Sequence, residues 1–551
     1  MARGGPLSNL QVMRFLLPVT LLALGAAPLA AQEQSGEPAY PGSFTTPMPL
    51  YTKGLGAYRW TITTRSDSAQ RFFNQGVQLM YAFATDDAAR SFREAERRDP
   101  GCAMCWWGEA WAWGPYLNEG MAPDDAPRAA YAAARAVEAA RQAGTARERA
   151  LIEAMAVRYT PRHDADERKR LDSAYARAMK QVWRRFPHDA EVGTMYAEAL
   201  MLLEPRRGYW DAAKPSVREI HAVLEDVLAR NLQHPGACHL YIHATESTDR
   251  AAQAAACAEH LGHAIPGASH LNHMPSHTWN RVGRWGDAVR ANLAAWHSDE
   301  AALRQEGFAI YPSHNLHMLL FAASMDGQGA VAEQAARDYA RVQKPAADSI
   351  SWGTFYRALV LMRFGRWDEV LALPDPVGRA TTRGLWIFAQ GYARLRTGDT
   401  TGARAALTIV DSLARTTPDS VQFRFHTAHS LLGITGGILR AELQKAAGDP
   451  AAAITTLEAA VALEDSLTYD EPEPLPFSAR HWLGAHLLEA GRPADAERVY
   501  RAELADHPRN GWSLFGLAEA LRAQGQDTHG VERDLHEAWA RADVALRSSR
   551  F

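Results

Sequence analysis

His239 and His243 form an i, i+4 pair that returns as His273 and His277, 34 residues further along the chain. A recurrence at this scale marks a repeat architecture, in which each unit is one supersecondary element that buries its apolar face only against its neighbours. The units read as helical: alanine and arginine are abundant, apolar residues recur at helical spacing, and no stretch sustains the alternation of a half-buried strand. If both pairs occupy one position in successive units, four imidazoles project from neighbouring helices into one groove.

The repeat does not rest on histidines alone. The segment FFNQGVQLMYAFATDDAARSFREAERRDP sets Gly76, Ala88, Phe92, Ala95 and Pro100 in the order small, small, aromatic, small, proline, and Trp106 opens the next unit. Gly484, Leu487, Ala496, Tyr500 and Pro508 repeat that pattern near the other end, and Leu517, Ala518 and Leu521 begin another unit. Small residues let two helices pack closely, the aromatic fills the layer between units, and proline ends the second helix. From about residue 69 the chain resembles the tetratricopeptide-repeat family. The resemblance implies an all-α fold, a right-handed α-solenoid of antiparallel helix pairs, with room for roughly ten of them. Loops are expected at MAPDDAP, TPRHDADE, LPDPVG and the acidic YDEPEPLP of 469–476.

Before the solenoid, Arg3 and Arg14 lead into FLLPVTLLALGAAPLA and then small residues, the pattern of a secretory signal peptide over 1–31. An extended arm follows at 32–68, then a solenoid at 69–345 bearing the histidines and a C-terminal solenoid at 346–545. The expected location is periplasmic or secreted, with no membrane anchor after cleavage. Export favours disulfides. Cys238 and Cys257 flank the turn at STDR symmetrically and are expected to pair; CAMC at Cys102 and Cys105 reads as a local disulfide or a copper-delivery site, and Trp106 in place of histidine excludes c-type haem attachment. A net charge of −4 gives no reason to expect nucleic acid.

Eleven of the 21 histidines lie between 234 and 317. In the tetratricopeptide family, positions 2, 5, 9 and 12 of each first helix line the concave groove. Counting from the turns at GRWGDA and GQGAVA, the resemblance places His239, His243 and Glu246, then His270, His273 and His277, then His314 and His317 at such positions. Pro275 interrupts the second group, so that helix is expected to begin near it. Seven imidazoles suit one or two transition-metal ions, copper or zinc foremost, and disfavour calcium and magnesium. HLYIH lacks the glutamate of a zincin motif. Trp107 and Trp111 on one side, and Trp352 and Phe355 on the other, are expected to line the groove for a peptide, a protein or a small aromatic ligand.

The blocks HPGACHLYIHATE, HLNHMPSHTWNRVGRW, YPSHNLHML and DPGCAMCWWGEA resemble a family of exported bacterial tetratricopeptide proteins, which implies the fold and the grouping of these blocks and no particular reaction. Two function classes follow. One is a metalloenzyme, a copper-dependent oxidase or another metal-dependent enzyme, with Glu246 as ligand or general base. The other is a protein-interaction scaffold with a structural metal or none.

Overall fold

The computed structural model describes residues 36–551 apart from 206–210, 305–307, 309, 343–352 and 377. The expected signal peptide at 1–31, the expected boundary near 345 and Trp352 lie outside the described residues. What is described is an all-α solenoid. Helices follow one another from Asp67–Tyr81 to His529–Ala538, each packed on its successor, and the named strands among the described residues are the two-residue pair Gln422–Phe423 and His426–Thr427. Helix starts are written locally: the side chains of Ser66, Asp189, Asp399 and Asp449 accept from backbone N–H groups of the first turn.

The repeat pattern has a visible cause. Phe92 lies between two first helices, and a Cβ built at either Gly76 or Gly108 would overlap its ring. Tyr500 holds the same place between Gly484 and Gly516. Glycine at each contact lets the aromatic fill the whole interlayer space.

The N-terminal arm is bound along its length. Four side-chain amides on the first helix accept its backbone N–H groups: Gln75 from Tyr51 at 2.8 Å, Gln78 from Gly56 at 2.7 Å, Asn74 from Trp60 at 3.1 Å and Gln70 from Ile62 at 3.0 Å. Phe44, Met48, Trp60 and Ile62 are buried beneath it.

The C-terminal repeats fold back onto the middle of the chain. Trp285 donates its indole N–H to the Pro508 carbonyl at 2.9 Å, and Trp512 does the same to Ser324. Arg541 makes two hydrogen bonds to the buried Asp326. The groove expected to be open is therefore closed from one side, which matters for the histidines.

Both cysteine pairs are joined, Cys102 to Cys105 and Cys238 to Cys257, with Cα atoms 5.3 and 4.9 Å apart. The second ties the helix Pro235–Thr245, which carries His239 and His243, to Ala255–Ala264. With a sequence separation of 19, its loss is expected to cost about 3 kcal/mol by loop entropy. Urea denaturation of Cys238→Ala/Cys257→Ala measures this; recovery of both thiols free in an unreduced peptide map of the wild type would contradict the pairing.

Candidate metal centre

Four short helices deliver the histidines. Pro235–Thr245 carries His239 and His243 and is capped by Glu246; Ser269–His273 carries His270 and His273; Pro275–Val282 carries His277; Pro312–Met325 carries His314. Three of these helices begin with proline, whose fixed φ and missing N–H suit the first helical position. Pro275 divides the middle segment at Met274, so His270 and His273 lie on a short helix separate from that of His277.

The rings gather as two trios, His239 with His243 and His270, and His273 with His277 and His314, each with ligand atoms within 4.8 Å of one another. The trios adjoin: the His243 and His277 ring centroids are 5.6 Å apart, as are those of His270 and His273. Five of the six are buried and His314 is half-buried. Burial, reinforced by the neighbouring imidazoles, pushes His239, His270, His273 and His314 well below the ordinary histidine range. They are therefore neutral near pH 7, the form that binds metal.

Hydrogen bonds then fix which nitrogen of each ring is available. Asn292 donates its Nδ2 to the Ala288 carbonyl, so its Oδ1 accepts from His273 Nδ1 at 2.8 Å. His277 directs Nδ1 at the Glu246 carboxylate, with a Glu471 oxygen 3.2 Å away. Both rings direct Nδ1 at these acceptors, which brings their Nε2 atoms to 2.8 Å of each other, close enough to share a proton or a cation. The other trio repeats the pattern. His239 donates Nδ1–H to the Tyr81 carbonyl at 2.7 Å and lies 3.1 Å from His270 Nε2 through its own Nε2, while His243 donates Nδ1–H to Glu246 at 2.8 Å and its Nε2 is buried without a hydrogen-bond partner. A buried ring nitrogen without a partner, as at His243 Nε2, is costly, and a cation bound there removes the cost. Acceptors behind the ring, orienting each imidazole through Nδ1–H, are the usual outer shell of metal-bound histidine.

Glu246 is the hinge between the trios. Burial alone would raise its pKa, but the adjacent His277 and His243 rings outweigh that and hold it well below the carboxylate range. One oxygen accepts from His243, the other from His277 and from the Tyr469 hydroxyl at 3.1 Å. Both oxygens therefore face Nδ1–H groups, away from the converging Nε2 atoms.

Tyr469 and Glu471 belong to the acidic loop between two C-terminal repeats, more than 150 residues from the histidines in sequence. Spacing gave no sign of this approach. Asp470 in the same loop clamps Arg424 of the small hairpin through two hydrogen bonds of 2.8 Å. Hairpin and loop together border a cavity of ≈ 340 Å³ lined by His243, His270, His314, Asn118, Tyr311 and Phe425 among others. The cavity touches both trios.

Backbone strain concentrates here. Among the described residues six non-glycine residues have positive φ, and four of them surround the histidines: Phe83 (61°), Tyr311 (57°), Arg424 (49°) and Phe425 (69°). Phe83 packs against His239 with centroids 4.3 Å apart, and Tyr311 meets His270 edge-on at 5.2 Å. Such conformations cost about 1–3 kcal/mol each and gather at functional sites.

Other expected residues lie elsewhere. His317 joins neither trio; it is buried against Tyr356, 4.5 Å between centroids, because three positions beyond His314 the helix presents it to the next layer. Trp107, Trp111 and Phe355 are buried and line no open wall: the first two donate to the Leu151 carbonyl and to Glu198, each at 3.2 Å, and Phe355 packs on Phe423. Their apolar area is spent on packing between units.

No protein-family model matches the chain, and no curated protein matches it. Solved structures similar to it include Naa15/Naa10 bound to HypK-THB (14% identity, TM-score 0.23, 85% of this chain and 70% of that one). A human IFIT1 dimer with PPP-AAAA is 11% identical, TM-score 0.30, over 87% and 90% of the two chains. The APC/C hetero-tetramer Cut9-Hcn1 is 11% identical, TM-score 0.29, over 86% and 77%. These likenesses bear on neither activity nor partners.

Proposed function

We propose that the chain is an exported tetratricopeptide-repeat metalloprotein whose histidine cavity holds two transition-metal ions, one per trio, and uses them for metal-dependent oxidation. The observation that carries this reading is the gathering of six imidazoles into two adjoining trios, each with ligand atoms within 4.8 Å of one another. His239, His243 and His270 would hold one ion, His273, His277 and His314 the other. Three imidazoles per ion leave a coordination position open towards the cavity, and all-nitrogen sets suit copper or zinc. Glu246, held by two imidazoles and Tyr469, is committed to orienting the ligands, and copper is the ion tested first. When bound, the ions supply Lewis acidity and, as copper, electron transfer. The chain's own part is to orient the imidazoles and to shield the site with the 469–473 loop. Export is supported by the joining of all four cysteines in disulfides.

Elemental analysis of protein purified from its native compartment is expected to find about two copper ions per chain. The first activity assay is a catechol with dioxygen: the catechol loses two electrons and two protons to become the o-quinone, and half an equivalent of dioxygen becomes water. Metal-free protein that still binds partners would leave the interaction scaffold as the function.

A further inference from the structure

A second cavity, of ≈ 410 Å³, has Tyr469 and Asp470 of the acidic loop in its wall but none of the six clustered histidines, and its chemistry is independent of the metal reading. Its size is that of a small-molecule site. One part of the wall is apolar, built from Phe321 and Met325 of the helix Pro312–Met325 and from Leu475 and Phe477 after the loop. The rest is charged, with Glu464, Asp465, Asp470, Glu473 and Asp506 against Arg281, Arg480 and His507.

The pairing of these charges leaves one acid over. Arg424 takes Asp470 through two hydrogen bonds of 2.8 Å, Arg480 takes Asp465 at 2.5 Å, and Arg281 lies 3.8 Å from Asp506. Burial would lower the pKa of His507, but Glu503 at 2.8 Å and Glu473 at 3.4 Å outweigh it and hold the ring charged. One imidazolium thus serves two carboxylates. Glu464 has no cation within hydrogen-bond reach: Arg480 stands 3.9 Å away, and the carboxyl accepts instead from the Ser478 hydroxyl at 2.8 Å and the Ala479 N–H at 3.0 Å. The neighbouring Glu503 is fully buried, with Oε2 lacking a hydrogen-bond partner, and His481, 3.8 Å from it, is held neutral by burial and by the Arg363 charge. Burial and the Glu503 charge push Glu464 up to about 8. A buried carboxyl so placed is neutralised either by a proton or by a cation that enters the cavity.

The wall narrows that cation. A bare metal ion fits poorly, because among the described residues no three of these acids bring an oxygen each within 4.8 Å of one another. An anion would meet five carboxyl groups. We propose that the cavity binds a small organic amine as its ammonium ion, with the charge against Glu464 and the apolar body on Phe321, Met325, Leu475 and Phe477.

The probe is 2-phenylethylammonium, with 2-phenylethanol and 3-phenylpropanoate as neutral and anionic counterparts, titrated calorimetrically into the full chain near pH 7. Wild type is expected to bind the ammonium at least about tenfold more tightly than either counterpart. Glu464→Gln keeps an oxygen for Ser478 and Ala479 and should bring the ammonium to within about threefold of the alcohol, with helical circular dichroism unchanged. Because Glu464 is largely protonated at pH 7, binding to wild type should release about one proton, read from the heats in buffers of different ionisation enthalpy. Affinity should rise as pH rises through about 8, a range in which the amine stays cationic. The proton count is read on wild type alone, so it holds whether or not the variant folds. An ammonium that does not bind, that binds no better than the alcohol or releases no proton, or that keeps its preference in folded Glu464→Gln overturns the site and leaves the metal centre untouched.

Discussion

Alanine at both His243 and His277 is expected to strip the protein of metal while leaving its helical circular dichroism largely unchanged. The two substitutions remove one imidazole from each trio. Each ion is left with two protein nitrogens. Glu246 also loses both of its imidazole donors, so the carboxylate that orients the cluster has only Tyr469 among these partners. Loss of an outer-shell partner alone typically weakens metal binding about 10–100-fold, and loss of a ligand exceeds that. The fold should survive because the layers are held elsewhere, by Phe92 and Tyr500 between their glycines and by the returning C-terminal repeats. A second readout separates binding from folding. A ligand present at about 1,000 times its Kd stabilises the native state by about 4 kcal/mol, so a chelator should lower the melting temperature of wild type and leave that of the variant unmoved. Equal metal content in the two proteins would remove the centre as drawn.

The histidines were legible because a solenoid turns sequence period into spatial adjacency. Residues 34 apart occupy one place in successive layers, so His239, His243, His273 and His277 were grouped by counting. The same counting misplaced His317 and the aromatic wall. A repeat position specifies a layer and a direction from the helix axis, but whether that direction is groove or packing depends on how far neighbouring layers close over it. Trp107 and Trp111 take groove positions by count and are buried, because the N-terminal arm covers the first layers: the Trp60 ring, carried on that arm, packs edge-on against Trp107 at 5.5 Å. What no spacing shows is contact between distant layers. Tyr469, Asp470 and Glu471 reach the histidines because the C-terminal repeats return to Trp285 and Asp326, and the acidic run in sequence read only as a loop. The four strained residues around the site were equally silent, since phenylalanine, tyrosine and arginine carry no signature of positive φ.

Glu246→Gln is expected to remove one of the two ions and to name which one. Sequence spacing made this residue a ligand or general base; its geometry makes it the acceptor for two Nδ1–H groups and a phenol. A glutamine offers one accepting oxygen and one donating NH₂. The oxygen should stay on the side where two donors converge, His277 and Tyr469, which turns the NH₂ towards His243. There Nδ1–H meets N–H, and His243 can escape only by moving its hydrogen to Nε2. That nitrogen then donates and no longer binds metal. The trio of His239, His243 and His270 should therefore lose its ion, with affinity reduced about 10–100-fold, while the trio of His273, His277 and His314 keeps its own. Elemental analysis would read about one ion per chain in place of about two, catechol oxidation that needs both would fall with it, and Glu246→Asp should recover part of both because a carboxylate accepts on either side. A Glu246→Gln protein with two ions and wild-type turnover would show that the carboxylate does not set the tautomers.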